Sequence, residues 1–316
     1  MRKSIIAVAA LVAMVFAAGQ AQAQQFINIL TGGTGGVYYP IGVALANVYA
    51  KGIPGSQPTA QATKGSVENL QKISKGEGEL ALTLGDSLSF AWNGNADVGF
   101  PTPLKNLRAV ANTYANYIQI LASKDSGIKT LADLKGKRLS VGAPKSGTEL
   151  NTRAVLAAAG ITYQDLAKVE YLDFNQSVEL IKNRQLDATL QSVGLGNSAL
   201  RDLANSVEII VVPIPADIAN KIPDKAYVQV VVPANTYKGQ TADVPTVAVA
   251  NILVTNEKLS TDLVYQMTKL LFENLDTLSA AHAAAKDIKL ATALNGISIP
   301  LHPGAEKYYR EKGLIK

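Results

Sequence analysis

Phe26-Ile27-Asn28-Ile29-Leu30, then Thr31-Gly32-Gly33-Thr34-Gly35-Gly36-Val37-Tyr38-Tyr39, then Pro40 to Ala50 follow one another without a break near the start of the chain. The first run is a short apolar strand. The last places Ile41, Leu45, Val48 and Tyr49 on one face of a helix. The glycines between them make a strand-loop-helix unit in which Pro40 suits the first helical turn, and backbone N–H groups at the helix start are free to hold an anion. A dinucleotide fingerprint needs a third glycine where Tyr38 stands, and no acidic residue closes a following strand at the expected distance, so a Rossmann site is excluded. A tight turn with only a packing role explains the loop equally well.

Outward from this unit the pattern repeats. A helix is expected over Ser66 to Lys75, with Val67, Leu70 and Ile73 inward and Gly76 as its stop, followed by a strand at Leu80 to Leu84. Tyr117 to Ala122, Arg138 to Gly142, Ala188 to Gln191 and Val207 to Val212 read as strands. Helices are expected near Glu149 to Ala159, Gln176 to Arg184 and Gly196 to Ala204. Strands interleaved with helices predict an α/β fold with mainly parallel sheets.

The chain has 316 residues, 47% of them hydrophobic and 17% charged, enough to bury a large core. Arg2 and Lys3 precede an apolar run from Ile5 to Ala18 that ends in Ala21-Gln22-Ala23, the pattern of a signal peptide cleaved after Ala23. The competing reading, a membrane anchor, suffers from an apolar core that is short for a bilayer. Export into a Gram-negative periplasm is expected. Removing Arg2 and Lys3 from the 30 Lys and Arg leaves them only 3 ahead of the 25 Asp and Glu, and no basic cluster accompanies that balance, so no nucleic-acid partner is expected. What remains after residues 1–23 exceeds the size at which one core stops growing, which favours two lobes. Asn112 to Ala122 and Ala226 to Pro233, the second read as a long buried strand, are candidate crossings between lobes. As ordinary strands of a single domain they would carry no such meaning.

With no Cys and only His282 and His302, disulfides, thiolate chemistry and most His-based sites are excluded, and no cofactor or metal is expected. His302, in Pro300-Leu301-His302-Pro303-Gly304, reads as a capping or packing residue, and Tyr308-Tyr309 as packing. Gly142-Ala143-Pro144-Lys145-Ser146-Gly147-Thr148-Glu149 lacks the order of a phosphate loop. Ser146 and Glu149 have capping-box spacing, while Ser146, Gly147 and Thr148 also offer donors to a carboxylate at a positive helix end. Gly65-Ser66-Val67-Glu68-Asn69, Leu84-Gly85-Asp86-Ser87 and Gln191-Ser192-Val193-Gly194-Leu195-Gly196-Asn197 likewise place small polar residues at helix starts. Asp86 is either a plain cap or an acceptor for a ligand's ammonium group. Several such strand ends together are what a ligand cleft needs.

These residues resemble the TAXI-type solute-binding proteins of TRAP transporters. The resemblance covers essentially the whole mature chain and is carried by Thr31 to Gly42, Gly65 to Asn69, Asp133-Leu134-Lys135-Gly136-Lys137-Arg138, Ser146 to Thr148, and Ile299-Pro300-Leu301-His302-Pro303-Gly304-Ala305-Glu306. The Asp133 to Arg138 run is shared widely among binding proteins; the glycine loop and the Pro300 to Glu306 stretch are more specific. The resemblance implies a two-lobed type II periplasmic-binding-protein fold with its ligand cleft between the lobes. Residues 24–114 and 233–316 would form lobe I and residues 115–232 lobe II. It further implies a monomer that is not an enzyme, binds a small carboxylate such as glutamate or a related dicarboxylate, and delivers it to the membrane subunits of an ion-driven TRAP transporter. Carried over by motif, Thr34, Gly35, Gly36 and Tyr39 would line the first lobe with Ser66, Asn69, Asp86 and Ser87 nearby. Ser146, Gly147, Thr148, Gly194 and Gly196 would face them. The chain departs from the pattern at Gly85, where a polar residue is usual, and Arg153 is not clearly placed to clamp the carboxylate, so neutral donors and helix ends are expected to bind it. A sensor subunit feeding a signalling partner, or a secreted enzyme in the same cleft, are the competing functions.

Overall fold

The computed structural model describes residues 25–316; the leader and cleavage site read at residues 1–23 lie outside them. The opening unit forms as its pattern requires, with β1 (Gln25–Leu30) followed by α1 (Tyr38–Gly52), which buries Ile41, Leu45, Val48 and Tyr49. β2 (Ser56–Gln61) returns parallel to β1, completing a crossover unit. α2 (Ser66–Lys75) stops where Gly76 adopts a left-handed conformation at φ 77°. β3 (Leu80–Leu84) is buried throughout and runs directly into α3 (Gly85–Asn93).

A second group of elements repeats this alternation. It comprises β5 (Arg138–Ser140), α4 (Gly147–Ala158), β6 (Lys168–Glu170), α5 (Phe174–Lys182), β7 (Ala188–Val193), α6 (Ser198–Ser206), β8 (Ile209–Val212) and α7 (Ala216–Ala219). Between the groups runs β4 (Leu107–Ser123), and after them come β9 (Tyr227–Val232), β10 (Val244–Asn256), α8 (Thr261–Glu273), α9 (Leu275–Ala281) and α10 (Pro303–Glu311).

Ten strands make one curled sheet in the order β2-β1-β3-β10-β4-β7-β5-β6, with β8 joined to β4 and β9 to β10. The expected parallel pairings occupy the flanks, where β1 joins β2 and β3, and β5 joins β6 and β7. The centre is antiparallel, through β3, β10, β4, β7, β8 and β9, so the sheet as a whole is mixed. Strand direction is a property of connections, which β-branched runs do not encode.

The two long strands are the crossings. β4 pairs with β10 from Leu107 to Tyr117, then with β7 from Tyr117 to Ala122. β10 pairs with β9 over Val244 to Val249 and with β3 over Asn251 to Val254. The second crossing is therefore β10, not the stretch Ala226 to Pro233 read from the sequence. β9 is an edge strand that leaves Val228 53% and Val231 43% exposed where burial was expected. Its apolar composition reflects an edge of the sheet and not its interior.

A β-bulge interrupts the crossing. Ala250 faces Ala115 while Ile252 faces Asn112, so Thr113 and Tyr114 of β4 together oppose Asn251. Side chains repair the broken ladder: Asn251 Nδ2 donates to the Tyr114 carbonyl and to Asn116 Oδ1, each at 2.9 Å, and Thr113 Oγ1 donates to the Asn251 carbonyl at 2.9 Å. The C-terminal motif is structural. His302 Nδ1 accepts from the Gly304 N–H at 3.1 Å and caps α10, and buried Tyr308 and Tyr309 pack against Phe272.

Candidate functional site

Loops at the ends of β1, β2, β5, β6 and β7 converge on a cavity of about 370 Å³ whose remaining wall is the bulged part of β4, at Tyr114 and Asn116. Its size and its place at strand ends suit a small ligand. Four helices start at its wall: α1 after Gly36 and Val37, α2 after Lys64 and Gly65, α4 at Ser146 and Gly147, and α5 at Asp173 and Phe174. Their N-terminal N–H groups make the enclosed potential positive. α4 and α5 carry their own caps, with Ser146 Oγ accepting from the Glu149 N–H at 3.1 Å and Asp173 Oδ1 from the Gln176 N–H at 2.9 Å. No side chain caps α1 or α2. Their first-turn donors are open to a ligand.

Two hydroxyls in the wall are buried without a hydrogen-bond partner: Tyr114 Oη and Ser192 Oγ, on residues 2% and 3% exposed. A buried hydroxyl left unpaired costs about 1–3 kcal/mol, so both are poised for a ligand atom. Burial pushes the Tyr114 phenol up, with Tyr38 adding to the effect, which keeps it a neutral donor. Tyr38 is also in the wall, and its hydroxyl donates to Asn251 Oδ1, tying α1 to the bulge. From Asn251 the chain of bonds continues through Asn116, whose Nδ2 donates to the Ser192 carbonyl at 2.8 Å. The cavity wall is thus wired across both crossing strands.

Of the residues expected to bind ligand, Gly35, Gly36, Ser66, Ser146, Gly147 and Thr148 line the cavity. Gly147 permits the close approach of α4 to α2, because a Cβ there would lie 2.7 Å from Ser66 Oγ and 2.6 Å from Leu84 Cδ1. The others lie elsewhere. Thr34 is exposed and Tyr39 half-buried outside the wall, and it is the neighbouring Tyr38 that faces the cavity. Asn69 is a fully buried clamp whose Nδ2 donates to the carbonyls of Thr31 at 2.6 Å and Leu82 at 2.8 Å. Gly194 packs against Ala284 and Val37, and Gly196 adopts φ 66° against the Arg201 guanidinium ahead of α6.

Asp86 and Ser87 are also withdrawn from the cavity. Asp86 Oδ2 accepts from Asn151 Nδ2 of α4 at 2.6 Å and from Tyr227 Oη of β9 at 2.8 Å, and Oδ1 accepts from the Ser87 N–H at 2.6 Å and Ser87 Oγ at 3.3 Å. Burial pushes the Asp86 carboxyl up to about 6, a rise that its Tyr227 and Ser87 donors partly offset and Asp224 reinforces. It clasps α3 to α4 and β9 and is saturated by protein donors. Arg153 is likewise occupied, donating to Glu149 Oε1 at 2.6 Å and to the Asp97 carbonyl at 3.2 Å. Glu149 accepts that bond and one from Tyr163 at 2.9 Å, so only the Ser146 half of the expected capping box forms.

Sequence reasoning missed Tyr38, Tyr114, Tyr171, Phe174 and Ser192 in the wall. Ser192 and Tyr38 sit inside motifs already singled out, so their signal was present. Tyr114 faces the cavity because of the bulge. Further bonds bridge the two groups of elements around the site: Asn197 Nδ2 donates to the Gly35 carbonyl at 2.8 Å and the Glu68 N–H to the Lys145 carbonyl at 3.2 Å.

Known structures share this architecture at low identity. PhnD1 from Prochlorococcus marinus, solved with methylphosphonate, superposes with a TM-score of 0.58 at 12% identity over 92% of this chain and 100% of that one. A binding-protein component of an ABC phosphonate transporter from Pseudomonas aeruginosa gives 0.56 at 15% identity over 84% and 80%. A structure from work on glutathione import via GshT and the cystine ABC importer TcyBC of Streptococcus mutans gives 0.51 at 11% identity over 83% and 95%. The fold is that of the two-lobed type II periplasmic binding proteins. A sequence model of the NMT1-like family matches residues 29–313, and the chain belongs to that family.

Proposed function

We propose that this protein is an exported solute-binding receptor that closes two lobes over a small carboxylate and hands it to the membrane subunits of an ion-driven TRAP transporter. The observation that carries the reading is the cavity wall, where two uncapped helix N-termini and two unpartnered hydroxyls await an anion. The lobes in this reading are residues 24–114 with the C-terminal part of the chain, and a second unit beginning at residue 115. We place the second boundary within β10 near Asn251, not at residue 233, because β9 and the first half of β10 pair with each other and Tyr237 bonds Gln119 of β4. Ligand bridging the lobes favours the closed state, the form a membrane partner would recognise.

The periplasmic location rests on the leader read at residues 1–23, and N-terminal sequencing of the exported protein tests cleavage after Ala23. The TRAP assignment rests on the resemblance of the glycine loop and the Pro300 to Glu306 stretch. Delivery to an ABC importer is a second reading, favoured by structural neighbours that are named as ABC components. Transport assays with TRAP or ABC membrane subunits separate the two. The ligand class is tested by unfolding and refolding the protein to strip bound solute and then screening carboxylates, phosphonates and sugars for a rise in melting temperature. A rise with carboxylates is expected. A rise confined to phosphonates or sugars would overturn the carboxylate reading.

A further inference from the structure

We infer that the cavity selects a carboxylate bearing an oxo or hydroxyl oxygen where an amino acid bears its ammonium group: a 2-oxo or 2-hydroxy acid with an uncharged side chain. The inference rests on the receptor reading above and narrows its ligand.

Charge comes first. Four helices of nine residues or more direct their positive ends at the cavity. Among the described residues in the wall, Lys64 and Asp173 are the ones with ionic side chains. Asp173 spends Oδ1 on capping α5. The two buried acids nearest in sequence to the wall are spent as well, Asp86 on Asn151, Tyr227 and Ser87, and Glu149 on Arg153 and Tyr163. An ammonium group placed here would leave water for a positive field with no free buried carboxylate beside it, which is the costly arrangement for a charge.

Hydrogen bonding points the same way. Tyr114 Oη and Ser192 Oγ lack acceptors, and an uncharged ligand oxygen gives such donors the partner they are missing, while the open N-termini of α1 and α2 take the carboxylate. Val37, Leu84, Pro144, Phe174 and Val193 complete the wall with apolar surface, which suits an uncharged side chain and offers a second carboxylate nothing.

Calorimetric titration of the refolded, solute-free protein with matched pairs tests the inference: 4-methyl-2-oxopentanoate against leucine, and phenylpyruvate against phenylalanine. The oxo member of a pair is expected to bind at least about tenfold more tightly, since a site built around unpaired polar groups discriminates strongly by hydrogen bonding. Equal or tighter binding of the amino acids would overturn the inference and leave the receptor reading intact. No heat with any carboxylate would overturn both. Tyr114→Phe removes a hydroxyl that bonds nothing in the protein, so the variant should fold normally and lose much of the oxo preference. An undiminished preference in both Tyr114→Phe and Ser192→Ala would remove these hydroxyls from ligand reading and overturn the inference.

Discussion

Two buried polar clusters lie between the halves of this molecule, and they differ in one respect. Around Asp86 the donors and acceptors serve each other, with both carboxylate oxygens filled from α3, α4 and β9. Around Tyr114 and Ser192 two buried hydroxyls are left without partners in the wall of a cavity. The first cluster holds the halves together with the protein's own groups. The second is complete only with something else inside. Burial of a polar residue therefore says little about ligand binding; whether its bonds are already spent says a great deal.

The contrast is broken most forcefully at Asp86. Asp86→Ala leaves the Tyr227 hydroxyl and the Asn151 amide buried without their acceptor, and should lower unfolding free energy by about 3 kcal/mol. Urea denaturation measures this, and a loss below about 1 kcal/mol would mean the clasp is not holding the halves together. At the cavity, Ser146→Ala combined with Thr148→Ala should weaken carboxylate binding by about tenfold, or 1.4 kcal/mol. The cost in stability should be about 1 kcal/mol, from the lost α4 cap. Unchanged affinity would take α4 out of the site.

The clasp also has a pH signature. An acid held above its ordinary range in the folded protein binds its proton more tightly there than in the unfolded chain. The stability this contributes is fully present in acid and is lost as pH rises through about 6. Between about pH 5 and pH 7 Asp86 should therefore remove about 1 kcal/mol as pH rises. Denaturation curves of wild type and Asp86→Asn across that window should diverge, with the variant flatter. Parallel curves would show that Asp86 does not titrate there.

Much of this fold is legible in short range. The Phe26 to Ala50 unit, the Ser66 to Lys75 helix with its Gly76 stop, and the α/β alternation follow from periodicity and caps, and the structure has them. Other features depend on partners far away in the chain. β10 reads as an unremarkable mixture of Val, Ala, Thr and Asn, yet it is a crossing strand because β3, β4 and β9 all pair with it. The same distance separates the two readings of Asp86. As a helix-start acid it looks available, but its partners Asn151 and Tyr227 lie 65 and 141 residues away. Motifs at strand ends located the cavity through Gly35, Ser66, Ser146 and Gly147. Tyr114 was invisible because a bulge in β4, not a local motif, places it in the wall.

The most direct test of the central contrast compares wild type with the Tyr114→Phe, Ser192→Ala double variant, melting each alone and with the best carboxylate from the screen. Because neither hydroxyl bonds the protein, the ligand-free proteins should differ by no more than about 0.5 kcal/mol, while carboxylate raises the melting temperature of wild type and leaves the variant nearly unmoved. An equal ligand-induced rise in both, or a variant already much less stable without ligand, would contradict the assignment of these hydroxyls to a bound solute.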